Sequence, residues 1–151
     1  MIVPMSKPVI KTRRKARALA LQVLYEVDAV GHQAEQVLVR LIEEAGLPED
    51  KSAFTRELVM GVLGNKLEID RNIKQYAPAW PVSQLPVVDR NILRLAIFEI
   101  LLDNKIPVRI VINEAVELAK SFGSDSTPKF INGVLGSVVA QQKDKPAVET
   151  K

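Results

Sequence analysis

The sequence predicts an all-α protein of about seven helices in two packed helical subdomains. Apolar residues recur at spacings of three and four along most of the chain, and no segment alternates with period two. Glycines and prolines separate the periodic segments. With 151 residues, the chain has the length of one domain. We expect a flexible tail over residues 1–10, one helical domain over 11–142 with subdomains at about 11–77 and 82–142, and a frayed tail over 143–151.

The first two helices are predicted over residues 12–30 and 34–45. Thr12 is a suitable N-cap for the first helix, and Gly31 is expected to end it. The second helix is expected to end at Gly46 for the same reason, since glycine adopts the left-handed backbone that follows a helix.

A third helix is predicted to begin at Glu49 or Asp50, with an interruption near Gly64 and Asn65. Helix is expected to resume up to residue 76. The segment 77–81, APAWP, is the clearest break in the chain and is expected to divide the subdomains.

Pro86 suits the first turn of a helix that runs to Leu102 and is apolar on almost every side. Such a helix is typical of the centre of a bundle. Its polar residues Arg90, Asn91 and Arg94 are expected to form one narrow exposed strip.

The last two helices are introduced by prolines. Pro107 begins one, which Gly123 is expected to end. Ser126 or Thr127 is expected to cap the final helix, with Pro128 in its first turn.

The composition argues against several chemistries. There is no cysteine and a single histidine, His32, so a Cys/His zinc site, a thiol nucleophile and a disulfide are excluded. Glu114 and Glu117 could act as an acid/base pair, but an ion pair between Glu117 and Lys120 is the simpler interpretation. We therefore expect a non-enzymatic protein without metal or cofactor.

The sequence also bears on location. No apolar run reaches about 18 residues, so no membrane span is expected. The first residues lack the apolar core and cleavage site of a signal peptide, and a cytoplasmic protein is expected.

Positive charge is concentrated at one end of the chain. Six cations precede the first acid, Glu26, although the net charge of the whole chain is only +3. These six are Lys7, Lys11, Arg13, Arg14, Lys15 and Arg17. Such a run is usually a solvated helix face, and binding to nucleic acid is the functional alternative.

A helical wheel favours the functional alternative. At 100° per residue, Arg14, Leu21 and Tyr25 lie opposite the apolar stripe of the first helix. Arg17 and Gln22 flank them, while Arg13 and Lys15 lie at the sides. Arginine binds phosphate, glutamine reads base edges and a tyrosine ring stacks on bases, a combination that suits single-stranded RNA. Alternatively, Tyr25 packs on a neighbouring helix.

The segment 122–130 offers a second candidate site. Its small residues lead into a helix N-terminus, where backbone N–H groups favour anions. Lys129 adds charge, and Phe130 either stacks on a base or lies in the core. Gly133 and Gly136 suggest close helix packing or a nearby RNA backbone.

Several motifs resemble those of the NusB family of transcription antitermination factors. They are RRKAR at 13–17, QVLY at 22–25, DRNILRLAIFE at 89–99, IPV at 106–108, INEAVELAKSFG at 112–123 and KFINGVL at 129–135. The resemblance covers roughly residues 11–140. It is poor over residues 33–48, and the loop residues Ser126 and Pro128 depart from the family pattern.

The resemblance implies an all-α fold and an RNA-binding function in transcription antitermination. It implies binding to boxA-like single-stranded RNA of nascent rRNA transcripts together with the ribosomal protein NusE, within the RNA polymerase antitermination complex, in support of rRNA transcription and ribosome assembly. By position, the implied RNA contacts are Lys11, Arg13, Arg14, Lys15, Arg17, Gln22, Tyr25, Lys129, Phe130 and Asn132. The implied NusE contacts are Leu85, Val88, Asp89, Asn91 and Arg94.

One alternative remains open beside an RNA-binding adaptor. The near-apolar helix over residues 87–102 could instead make the chain a purely protein-binding module or a homodimer. The sequence leaves open whether the free protein is a monomer or a homodimer.

Overall fold

The computed structural model describes residues 7–144, with side chains described for residues 13–142. Regular structure in this range is helical throughout, which confirms the all-α prediction. The α-helices are α1 (Lys7–Val30), α2 (Ala34–Ala45), α3 (Glu49–Gly64), α4 (Lys66–Tyr76), α5 (Val87–Ile97), α6 (Val108–Phe122) and α7 (Thr127–Asp144). Within this range, no helix is both long enough and apolar enough to cross a membrane.

Glycine and proline end the helices where the sequence predicts. Gly31 and Gly46 have φ values of 87° and 62°, the left-handed backbone that favours glycine. The Gly46 N–H donates to the Ile42 carbonyl at 3.2 Å, which closes α2. The predicted break at Asn65 separates α3 from α4.

The first helix is longer than predicted. It begins at Lys7 rather than at Thr12, so residues 7–10 are helical and that part of the predicted flexible tail is wrong. Pro8 lies in the first turn, where its missing N–H leaves no hydrogen bond unmade and its fixed φ suits a helix. Thr12 therefore lies inside α1 and is not its N-cap.

The chain divides into two compact units, but the boundary differs from the prediction. It lies between Lys66 and Leu67 rather than at residues 77–81. The first unit holds α1, α2 and α3, and its core includes Leu24, Leu38 and Leu58. The second unit holds α4 to α7, around Ile92, Leu93, Ile131 and Leu135.

A partly buried ion pair joins α4 to α5 within the second unit. Arg94 of α5 donates from Nε to Asp70 Oδ1 of α4 at 2.9 Å, and from a terminal guanidinium nitrogen to Oδ2 at 3.0 Å. This bidentate geometry is the strongest form of Arg–carboxylate pairing. The sequence assigned α4 to the first subdomain, because this helix precedes the predicted break at residues 77–81. The ion pair instead joins α4 to α5, which belongs to the second subdomain.

The prediction that the polar residues of α5 form an exposed strip is wrong. Asn91 and Arg94 are 1% and 5% exposed, and Arg90 is half-buried. Arg94 also donates to Asn91 Oδ1 at 3.2 Å, and the Asn91 amide donates to the Val87 carbonyl at 2.8 Å. Buried polar side chains are normally hydrogen-bonded in this way, so the polarity of Asn91 and Arg94 did not indicate exposure.

The helix predicted to end at Leu102 changes its hydrogen-bonding pattern before that residue. After α5 the chain forms a π-helix over Phe98–Asp103. Asn104 follows with φ of 53°, and its N–H donates to the Glu99 carbonyl at 2.9 Å. The left-handed residue ends the helix, a role that asparagine fills when glycine is absent.

Hydrogen bonds of the Thr127 side chain hold the connection between α6 and α7 in place. The buried Thr127 hydroxyl accepts from the Ser124 N–H at 2.9 Å and donates to Asp89 Oδ1 at 3.0 Å. Gly123 fits closely against it, because a Cβ at position 123 would lie 2.5 Å from the Thr127 Cβ. Pro128 lies in the first turn of α7, as predicted.

We expect Gly123→Ala to destabilise the protein by about 1–3 kcal/mol, the usual cost of forcing a methyl group into a filled space. The measurement is the free energy of unfolding in urea. The control is Gly136→Ala, where a Cβ meets nothing within 4 Å and a gain of about 0.5–1 kcal/mol is expected. Equal stability changes in the two variants would contradict the steric account.

Candidate nucleic-acid interface

One face of α1 is exposed and carries the chemistry for binding RNA. Arg14, Lys15, Gln22 and Tyr25 are exposed, and Tyr25 retains 44% of its accessible surface. We call these four residues the α1 strip. The strip combines two cations, an amide and an aromatic ring along about three turns of one helix.

The α1 strip is rotated relative to the predicted face. Leu21 and Arg17 are 2% and 3% exposed, so both lie on the buried side of the helix. Lys15, which the helical wheel placed at the side, is exposed. The helical wheel identifies the apolar stripe of α1. It does not reveal that the side of the helix that carries Arg17 and Leu21 is also buried.

The remaining predicted cations of α1 have different surroundings. Arg13 is half-buried, and its guanidinium carbon lies 5.1 Å from the centre of the Phe54 ring. The Arg17 guanidinium carbon lies 5.3 Å from the same centre. The Lys11 side chain lies outside the described residues. No local signal in the sequence connects Phe54 of α3 with arginines some forty residues earlier.

His32 belongs to an exposed ion-pair cluster at the end of α1. Its Nδ1 lies 2.6 Å from Glu26 Oε2, and Arg40 of α2 contacts the same oxygen. Hydrogen bonds, first from His32 and then from Arg40, hold the pKa of Glu26 below its usual value. The cluster links the end of α1 to α2.

In the second unit, the predicted ion pair between Glu117 and Lys120 is present at 3.3 Å.

The second candidate set lies at the start of α7, in the other unit. Lys129 and Asn132 are exposed, and Phe130 is half-buried, between the two predicted alternatives. Gly133 and Gly136 are exposed, and a Cβ at either would meet nothing within 4 Å. The prediction that these glycines allow close helix packing is therefore wrong within the described chain.

Most of the predicted NusE-contacting residues are buried. Leu85, Asp89, Asn91 and Arg94 are at most 7% exposed, and Val88 is half-buried. Asp89 accepts a hydrogen bond from Thr127, and Arg94 donates to Asp70, both within the second unit. Direct contact of these residues with NusE stays a prediction. The alternative of a homodimer through the near-apolar helix loses its basis, because residues 91–100 are already buried in the folded chain.

The buried Asp89 carboxyl makes stability depend on pH. Burial raises its pKa above the ordinary 3.8, and the hydrogen bond from Thr127 offsets part of the rise. Between the ordinary and the raised pKa, the folded chain binds a proton more readily than the unfolded chain. The charged carboxylate therefore costs stability above the raised pKa, and that cost disappears as the pH falls.

We expect Asp89→Asn to gain stability relative to the parent at pH 7, and to lose that gain as the pH falls through the raised pKa toward the ordinary 3.8. The amide oxygen still accepts from Thr127. The measurement is urea unfolding of both proteins across this pH range.

The control for this prediction is Asp50→Asn. A hydrogen bond from Lys51 lowers the pKa of Asp50, so that variant should lose stability at neutral pH and recover it in acid. A gain for Asp89→Asn that does not change with pH would contradict the assigned pKa.

Known proteins share this fold and these motifs. A family model for the NusB family matches residues 14–140. The transcription antitermination protein NusB of Dehalococcoides mccartyi is 54% identical over 127 residues, which cover 84% of this chain and 89% of the relative. A structure of T. maritima NusB superimposes with a TM-score of 0.79 at 31% identity, over 93% of this chain and 94% of that chain.

A further structural match comes from a crystal structure of the antitermination factors NusB and NusE in complex with double-stranded RNA. The TM-score is 0.80 at 27% identity, and the match covers 87% of this chain and 98% of that chain. Both the sequence and the helical fold lead to one assignment: the chain belongs to the NusB family of transcription antitermination proteins.

Proposed function

We propose that the chain is a cytoplasmic transcription antitermination factor that binds boxA-like single-stranded RNA of nascent rRNA transcripts together with NusE. In this role it supports rRNA transcription and ribosome assembly as a regulatory protein rather than an enzyme. The observation that carries the proposal is the α1 strip, which presents phosphate-binding, base-reading and base-stacking side chains on one exposed face.

Each side chain of the α1 strip has a distinct use. Arg14 and Lys15 attract the phosphate backbone, and arginine contacts a phosphate through two parallel N–H donors. Gln22 both donates to and accepts from a base edge. Tyr25 offers an exposed ring on which a base gains about 1–3 kcal/mol by stacking. Charge alone would hold any polyanion, so Gln22 and Tyr25 supply the preference for unpaired bases.

The known complexes support RNA and NusE as partners and leave the strandedness to be tested. The related crystal structure contains NusB and NusE with double-stranded RNA. For this chain we propose single-stranded RNA, because Tyr25 can stack only on an unstacked base. The major groove of A-form RNA is too narrow for Gln22 to read.

The start of α7 is a second proposed RNA contact. Exposed Lys129 can neutralise a phosphate, and exposed Asn132 can hydrogen-bond a base or sugar. Phe130 is half-buried, so it offers only part of its ring. At the preceding loop, the Thr127 hydroxyl already binds the Ser124 N–H, which removes one donor from the proposed anion site.

For NusE, we propose contact through the surface around Val88. Val88 is half-buried, and the nearby Gln84 and Pro86 are exposed. Asp89 and Arg94 shape this surface from within, through their hydrogen bonds to Thr127 and Asp70. Substitutions that remove these hydrogen bonds would disturb NusE binding by altering the fold rather than by removing a direct contact.

The test of RNA binding is its dependence on salt. If about four phosphates are neutralised, the logarithm of affinity for boxA-like single-stranded RNA should fall with the logarithm of salt at a slope near −3. That slope corresponds to a loss of roughly 50-fold between 50 and 200 mM salt. Arg14→Ala with Lys15→Ala should weaken binding and make the slope shallower by about 1.4, since two phosphate contacts are lost.

The control removes two exposed cations from α4, Arg71 and Lys74, by alanine substitution. It should leave both the affinity and the slope near those of the parent. Duplex RNA of the same sequence should bind more weakly than the single strand. Unchanged affinity and slope after loss of Arg14 and Lys15 would contradict the proposed interface.

A further inference from the structure

Phe54 of α3 lies beneath two arginines of the basic helix. Its ring centre is 5.1 Å from the Arg13 guanidinium carbon and 5.3 Å from that of Arg17. Both distances fall within the range of about 6 Å at which a cation is attracted to an aromatic face. Arg13 and Arg17 are four residues apart and so lie on adjacent turns of α1.

The two arginines differ in what they can reach. Arg17 is 3% exposed, whereas Arg13 is half-buried and keeps part of its surface in solvent. Arg13 is therefore the member of the pair that can meet a phosphate. Held against a ring, its side chain has already lost part of the rotamer freedom that phosphate binding would otherwise remove.

A ring holds an arginine differently from a carboxylate. A carboxylate cancels the charge of the guanidinium and competes with phosphate for its N–H donors. An aromatic face attracts the cation through its quadrupole and leaves both the charge and the in-plane N–H groups available. Phe54 can thus fix the orientation of Arg13 without reducing its attraction for an anion.

The backbone that carries the ring is held against α1 by the residue beside it, Thr55. The Thr55 hydroxyl is fully buried and lies 3.2 Å from the Ala16 carbonyl of α1 and 3.1 Å from the Lys51 carbonyl of its own helix. This contact ties α3 to α1 within one turn of both arginines. The packing of the two helices therefore sets where the Phe54 backbone lies relative to α1.

We propose that Phe54 is a positioning residue for RNA binding: it orients the Arg13 guanidinium toward an RNA phosphate while leaving its charge available. The inference rests on the proposed function, and it adds a residue of α3 that makes no RNA contact of its own.

The test is a double-mutant cycle between Phe54 and Arg13, with affinity for a short boxA-like single-stranded RNA as the readout. Phe54→Leu should weaken binding about 3- to 10-fold, and Phe54→Met, a second ringless variant, should do the same. Phe54→Tyr keeps the ring and should bind within about twofold of the parent. In an Arg13→Ala background, Phe54→Leu should cause no further loss.

A matched control separates positioning from folding. Met60→Ala removes an exposed apolar side chain from the same helix and should leave affinity unchanged. Thermal unfolding establishes that each variant is folded at the assay temperature.

The outcomes distinguish this inference from the proposed function. A parent protein that does not bind the RNA contradicts the proposed function itself. If the parent binds and Arg13→Ala weakens binding, parent-like affinity of the folded ringless variants overturns the role of Phe54. An equal loss of RNA affinity on Phe54→Leu in the parent and in the Arg13→Ala background also overturns this role, because the effect of Phe54 would then not depend on Arg13.

Discussion

The burial of α1 on most of its circumference is the constraint on which the proposed interface depends. Contacts with α2 and α3 cover the apolar stripe, and the Thr55 hydroxyl fixes α3 against the Ala16 carbonyl. Among the described side chains of α1, residues 13–30, what remains exposed on this side is a strip one or two side chains wide. The cations of the first helix are therefore not equivalent: Arg14 and Lys15 face solvent, Arg13 is half-buried against Phe54, and Arg17 is buried.

The helices themselves were largely predictable, because glycine and proline act locally. The bounds of α2 match the predicted 34–45, and Gly31, Gly46 and Gly123 end helices as expected. The start of α1 differs from the predicted start at Thr12, because the first turn of a helix accepts proline and Pro8 therefore does not prevent helix.

The candidate site was only partly predictable, since periodicity assumes that charged residues are exposed. Arg94 is charged but buried, and it pairs with Asp70, which lies 24 residues away in the chain. Arg17 of α1 is also charged but buried, and its guanidinium lies against the ring of Phe54 in α3. Partners so distant in sequence leave no local pattern, and only the packed structure reveals them. The exposed Gln22 and Tyr25 needed no such partner and were placed correctly.

The central claim is that single-stranded RNA lies along the α1 strip. It is tested most directly by photocross-linking a boxA-like RNA that carries 4-thiouridine, followed by mass-spectrometric mapping of the linked residues. We expect cross-links at Tyr25 and its exposed neighbours on α1, and fewer of them in the Arg14→Ala, Lys15→Ala variant. Cross-links on the outer face of α2, around Val39, with α1 unmodified, would contradict it.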